Sequence, residues 1–334
     1  MSHEMTENDQ MYSVRIAPWH IGMGTNVLIL DTNPETRNER MVAAGHNWLV
    51  NESKVYRQLG YRLGKTQVEG WNILTRSDTN DVLNITGDSY EVVQNVVCHE
   101  LFEAFIEGAK LDDGTGGTTR NGKVCYLSAR IDEPRQVNGD DSEIYPYIGV
   151  LWSHDKSTGI QGFKTTVRMV CYNTIRLAEL SSKAAGRNYT FSGKHTGNIL
   201  DRIEEAKQVI SGARDDTLRY IEIANELGLI PITPMQHVDF VNQLIPMPPI
   251  KFVTDRVMDN VLDARIKVES LFDGPTIPEA HKDTGYGLLQ AGIEYLDHLR
   301  GYQSSDTYLG RTLLREEPLK RRLVPIIRQF GAEQ

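Results

Sequence analysis

Several features are scarce in this 334-residue chain. Cysteine occurs three times, at Cys98, Cys125 and Cys171, with no CxxC spacing. A scattered odd set speaks against both a disulfide framework and a zinc ribbon and leaves packing as the role of each thiol. No apolar run approaches the roughly 20 residues that span a bilayer, so no membrane segment is expected. The opening MSHEMTENDQ is acidic and polar. It has neither the basic start nor the apolar stretch of a secretory signal, and the expected location is the cytoplasm. Nucleotide-binding glycine motifs are missing as well: GTGG at 114–117 lacks a following Gly-Lys-Ser/Thr, and nothing forms a Rossmann fingerprint. What is present is an ordinary folded composition, 40% hydrophobic and 24% charged, long enough for one large or two modest domains.

Charge is uneven. The formal total is −9, which argues against a nucleic-acid partner, yet residues 1–150 carry −9, residues 151–199 carry +5 and residues 200–334 carry −5. The basic window holds Lys156, Lys164, Arg168, Arg176, Lys183, Arg187 and Lys194 against Asp155 and Glu179, with Trp152, Phe163, Tyr172, Tyr189 and Phe191 interleaved. Cations meet phosphates and aromatic faces meet unstacked bases in single-strand binding. Phosphate contact is decided within about a Debye length, roughly 8–10 Å, so the local balance outweighs the total. A solvated face poor in acids would show the same composition.

Periodicity places the elements. Pro34–Ala44 reads as a helix closed by Gly45, Tyr56–Leu63 is a further apolar stretch, and Trp71–Leu74 and Val82–Ile85 read as strands. Tyr90–Ile106 repeats its apolar residues near 3.6 and is an amphipathic helix. Residues 108–122 read as a loop. Lys123–Ile131 and Ile144–Trp152 are β-rich and expected as adjacent antiparallel strands, with an extended piece over Ile160–Thr165 and a helix over Thr166–Leu180. The rest is helical: Asn198–Leu227 with a break near Gly212, His237–Leu244, Thr254–Phe272, Gly287–Leu299 and Glu317–Phe330. Three regions follow, 1–70, 71–197 and 198–334.

Three strings invite chemistry. His99-Glu100-Leu101-Phe102-Glu103 resembles a zinc HExxH motif with Glu103 in place of the second His, but no third ligand lies nearby and a helix edge is the better reading. Ser153-His154-Asp155 names a catalytic triad, yet neighbours on a strand point to opposite faces, so a turn with a ligand-bonding His154 is the reading retained. Gly193-Lys194-His195-Thr196 precedes a helix whose positive end suits a phosphate. The run Lys320-Arg321-Arg322 is a solvated helix face or a second contact surface. No catalytic residue, metal ligand or cofactor is assigned.

Beyond these residues, the Ser-His-Asp block and Val167-Arg168-Met169-Val170-Cys171-Tyr172-Asn173-Thr174 resemble the signature of phage- and plasmid-related proteins grouped as domain of unknown function 932. Further matches in the same order are Trp19–Gly24, Ala43-Ala44-Gly45, Arg76-Ser77-Asp78-Thr79, Tyr90 with Val93-Gln94-Asn95, and Lys194-His195-Thr196. Lys156 stands where the pattern has Gly. The resemblance implies a mobile genetic element in a bacterial cytoplasm and no particular activity. In element order the chain is also similar to Red-beta/RecT-type single-strand annealing proteins, which implies an α+β fold with a β-β-β-α core, an antiparallel sheet packed on helices, followed by a helical C-terminal region.

The expectation is a non-enzymatic protein that binds, and anneals, single-stranded DNA or RNA in phage or plasmid recombination or replication. Its contacts would be Trp152, His154, Lys156, Lys164, Arg168, Tyr172, Arg176, Lys183 and Lys194. It would act as a homo-oligomeric ring or filament, alongside host or phage recombination proteins and away from membranes. Two other classes stay open: an anti-defence factor whose acidic surface binds a host protein, and a metal-dependent nuclease.

Overall fold

Eleven strands and seven α-helices are described in the structure, a computed structural model, over residues 9–14, 27–58, 64–106, 111–131, 133–170, 173–175, 192–193, 199–249, 253–301 and 318–332. In chain order these are β1 (Met11–Ser13), β2 (Val27–Ile29), α1 (Arg37–Ala43), β3 (Val50–Gln58), β4 (Lys65–Arg76), β5 (Val82–Gly87) and α2 (Asn95–Ile106). Then come β6 (Leu111–Thr119), β7 (Val124–Ile131), β8 (Ile144–Ser153), β9 (Ile160–Arg168), β10 (Asn173–Ile175) and β11 (Ser192–Gly193). The helical part comprises α3 (Ile199–Gly228), α4 (Pro234–Leu244), α5 (Asp255–Phe272), α6 (Gly285–Glu294), which runs on as a π-turn to Leu299, and α7 (Lys320–Ala332). The chain is therefore α+β with a helical C-terminal region, as expected.

The larger sheet runs β10-β9-β8-β7-β6-β1-β2, with β11 also on β9. Its centre, β6 to β9, is an antiparallel meander. On one face Cys125, Leu127, Ala129, Ile148, Val150 and Trp152 pack against Cys98, Leu101 and Phe102 of α2 and Ala213 of α3. The opposite face is aromatic, with Tyr126, Tyr145, Tyr147 and Phe163 buried. A second sheet, β3-β4-β5, stands apart, and residue 70 falls inside its middle strand. Residues of α3 to α7 build a further core around Phe240, Val268, Tyr286, Leu289 and Leu323.

Helix starts follow local chemistry. Thr36 with Glu39 and Thr233 with Gln236 form capping boxes, and Pro234 occupies the first turn where its missing N–H costs nothing. Thr254 and Thr284 cap α5 and α6 through their hydroxyls.

Three expectations are corrected, and one apolar stretch gains an assignment. The stretch over 111–119 is strand β6 rather than loop, because its glycines serve close packing: a Cβ at Gly116 would lie 2.6 Å from Leu127 Cδ2, and one at Gly117 2.7 Å from the Gln10 carbonyl. No helix begins at Thr166; β9 continues to Arg168 and β10 returns along it, so pairing between strands overrides the helix-like apolar spacing. The helix following the meander is α3, and residues 176–180 lie outside the described part. Residues 56–58 belong to β3. Finally, α3 is unbroken at Gly212, where a Cβ would come within 2.8 Å of Lys164 Nζ.

Candidate functional site

Two of the strings that carry the family resemblance, Val93-Gln94-Asn95 and the Ser-His-Asp block, meet at one side chain, Asn95 at the start of α2, together with residues just after a third, Ala43-Ala44-Gly45. Its amide donates to the carbonyls of His46 (3.1 Å) and Trp48 (3.4 Å). Its Oδ1 accepts from Trp152 Nε1 (3.0 Å) and His154 Nε2 (2.9 Å). All four hydrogen-bonding positions of the amide are filled, and this sets the His154 proton on Nε2. Gln94 bonds both the N–H (2.9 Å) and the C=O (3.0 Å) of Val50 and so acts as a short strand partner for the start of β3. These two residues tie the small sheet to the large one.

Around Asn95 lies a layer of rings. Trp48 Nε1 donates to the Gly45 carbonyl, and the Arg76 guanidinium lies 4.6 Å over the Trp48 ring while pairing with Asp78 at 2.7 Å. Trp48 meets His154 edge-on, and Trp152 meets both His46 and His99 in the same manner. His46 Nδ1 and His99 Nε2 are 2.9 Å apart, and His46 Nε2 is 3.0 Å from the Gly117 carbonyl. A carbonyl only accepts, so His46 carries its proton on Nε2 and His99 donates to Nδ1. His99 Nδ1 is buried with no hydrogen-bond partner. Burial pushes the His46 pKa down to about 4 against the pull of the Gly117 carbonyl. Burial, then the neighbouring His46, Arg40 and Arg37 charges, push His99 to about 2. Both imidazoles are thus neutral at pH 7.

This hub is closed to solvent: His46, Trp48, Arg76, Asn95, His99, Trp152 and His154 are all buried. Trp152 and His154, expected to touch bases, instead hold the two sheets together. Glu100 and Glu103 of the HELFE string bond Arg37 and Arg40 of α1. Among the described residues no three His, Cys, Asp or Glu side chains are grouped to hold a metal. Asn95 and the His46–His99 pair were missed by sequence reasoning. Their signal lay in the strings ending at Gly45 and Asn95, which flank or contain them.

The basic window divides in two. Lys164, Thr166 and Arg168 alternate onto the face of β9 beneath α3. Lys164 pairs with Asp216 at 2.7 Å, and Thr166 Oγ1 lies 2.7 Å from Thr217 Oγ1. Arg168, 1% exposed, forks onto Asp140 at 2.6 and 3.0 Å and reaches the Thr276 carbonyl at 2.8 Å; Tyr286 also donates to Asp140. Burial pushes the Asp140 carboxyl up, but Arg168, the Ser142 N–H and Tyr286 outweigh it and hold its pKa below the usual range. Arg168 therefore joins the sheet to the helical core and neutralises Asp140 rather than a phosphate. Trp152 for its part presents no free face to a base. Lys156 alone of the described candidates is exposed, on the β8–β9 turn at φ 65°, its ammonium 5.0 Å over the Tyr90 ring. The turn survives the loss of Gly: Ser153 Oγ accepts from the Thr158 N–H, and Asp155 accepts from Ser157. Tyr172, Arg176, Lys183 and Lys194 lie outside the described residues. The strands on either side of Arg176 and Lys183 in the chain, β10 and β11, both pair with β9, at 166–168 and 160–161.

Residues 82–317 match the family described as Domain of unknown function (DUF932), and the chain belongs to that family. Comparison with the curated proteins and with the solved structures returns no match. No helix among the described residues is long and apolar enough to cross a membrane.

Proposed function

We propose that this DUF932 protein binds single-stranded nucleic acid without enzymatic chemistry, as an annealing factor of a phage or plasmid in recombination or replication. It acts in the bacterial cytoplasm as a homo-oligomer. The contacts are Lys156 and the stretch that contains Arg176, Lys183 and Lys194, with Tyr172 as the stacking residue; Lys164, Arg168, Trp152 and His154 belong to the buried scaffold.

The observation that carries this reading is the anchoring of the basic stretch. β10 and β11, the strands that bracket residues 176–191 in the chain, both pair with β9, at positions five residues apart along it, about 17 Å. That stretch carries Arg176, Lys183 and Arg187 against Glu179 alone. A cationic segment tied at both ends to a rigid strand loses less conformational entropy on binding a phosphate chain than a free tail does. The order of α2, an antiparallel meander and a long helix across it adds support by analogy with annealing proteins.

The test is a salt series with single- and double-stranded oligonucleotides, comparing the wild-type chain with Arg176→Ala/Lys183→Ala/Lys194→Ala. Each lost phosphate contact lowers the slope of log K against log salt by roughly 0.7, so the triple variant should lose about 2. A folded triple variant with the wild-type affinity and slope would sink the proposal.

A further inference from the structure

We infer that β5 is a docking edge for the β5 strand of a second copy of this chain. The β3-β4-β5 sheet has two outer strands of different character. β3 carries Glu52, Lys54 and Arg57, and Gln94 closes its first residue on both backbone groups. Charged side chains of this kind keep edge strands from pairing with other chains. β5, Val82-Leu83-Asn84-Ile85-Thr86-Gly87, has no charge and no proline. It pairs with β4 on one side and with no further strand among the described residues. The other uncharged outer strands described, β2, β10 and β11, are only two or three residues long.

The flank of this edge is apolar. Val82 and Ile85 are half exposed, and so is Trp71 on β4, two residues from Ile73, which sits opposite Ile85. The Ile85 N–H is met by Oδ1 of its own neighbour Asn84 at 2.8 Å, a local substitute for a strand partner. The Asn84 Nδ2 is buried and makes no hydrogen bond.

Whatever pairs here must be an extended segment with free N–H and C=O groups and no charge to desolvate, and it must meet an apolar flank with its own. A second β5 satisfies each condition. Placed antiparallel about a two-fold axis, two such strands form an isologous contact and a continuous six-stranded sheet. Ile85, beside the midpoint of the six-residue strand, then lies near the axis. This deepens the homo-oligomer part of the proposed function and rests on that part alone.

The experiment is the mass of the full chain in solution by light scattering at micromolar concentration, for the wild type and for Ile85→Lys. Since the Ile85 side chain is half exposed, the variant should keep the circular dichroism and melting temperature of the wild type while its mass falls by half. A second variant, Ile85→Cys in a Cys171→Ser background, should form a disulfide-linked dimer on mild oxidation. A monomeric wild-type chain overturns the inference, and so does an Ile85→Lys chain with the wild-type mass. Oligonucleotide affinity measured on the same samples separates the two readings. A monomer that binds defeats the interface alone, and a dimer that binds nothing defeats the nucleic-acid reading alone.

Discussion

Two long antiparallel pairs, β8–β9 and β3–β4, differ in where their cations end, although on the second Lys54 and the buried Arg76 also pair, with Asp88 and Asp78. On β9, Lys164 and Arg168 turn beneath α3 and end on Asp216 and Asp140. On the β3–β4 pair, Arg57 and Lys65 are exposed and make no ion pair with any described residue. A charge count over 151–199 gave weight to the first pair and passed over the second. Counting charges along a chain measures how many there are, while burial decides which can reach a ligand.

The largest expected effect breaks this comparison directly. Arg168→Ala leaves the Asp140 carboxylate buried with its counter-charge removed, a change that costs about 3–5 kcal/mol. Arg57→Ala removes an exposed side chain and should leave the unfolding midpoint where it is. Urea titrations of the two variants side by side measure the contrast. Equal midpoints would mean that Arg168 and Asp140 do not join the sheet to the helical core.

A middle-sized effect concerns acid. His46 and His99 have pKa values of about 4 and about 2 in the folded chain, against roughly 6.5 unfolded. Below pH 6.5 the unfolded chain therefore binds protons that the folded chain does not, and stability falls as pH falls. It is complete above about pH 6.5 and is lost progressively toward pH 4. Between pH 6.5 and 5 each histidine contributes on the order of 2 kcal/mol to that loss. His99→Gln should remove its share of the slope, read as the difference between denaturation midpoints at pH 7 and pH 5. A slope unchanged by the substitution would contradict a buried neutral pair.

Much of the fold was legible because it rests on local pattern. The 3.6 repeat of α2 and the β-rich runs of β7 and β8 are properties of short stretches. Residues 166–175 misled because Val167, Val170, Cys171 and Thr174 fit a helical face as readily as a strand, and only pairing with β8 and β10 decides between them. The glycines at 116 and 117 read as loop because their reason, the closeness of Leu127 and of the Gln10 backbone, is a tertiary fact. The Asn95 hub was invisible for the same cause: its partners, His46 with Trp48 and Trp152 with His154, come from two segments far from it in sequence. Two of the strings that signalled the family, those holding Asn95 and His154, nonetheless meet there.

The smallest effect sharpens what remains of the β8–β9 turn as a contact. Lys156 holds φ 65°, a conformation that costs a residue with a Cβ roughly 1–2 kcal/mol, and glycine would relieve it at the expense of about 0.5–1 kcal/mol of chain entropy. Glycine would also lose the ammonium over Tyr90, about 0.5–1 kcal/mol at an exposed site. These terms nearly cancel, so Lys156→Gly should change stability by less than about 1 kcal/mol. Asparagine tolerates the same φ without the charge, so Lys156→Asn isolates the ammonium. If Lys156 meets a phosphate, both variants lower the single-strand salt slope by about 0.7. If both keep the full slope, the exposed turn is no contact, and binding rests on the stretch between β10 and β11 and on Lys194.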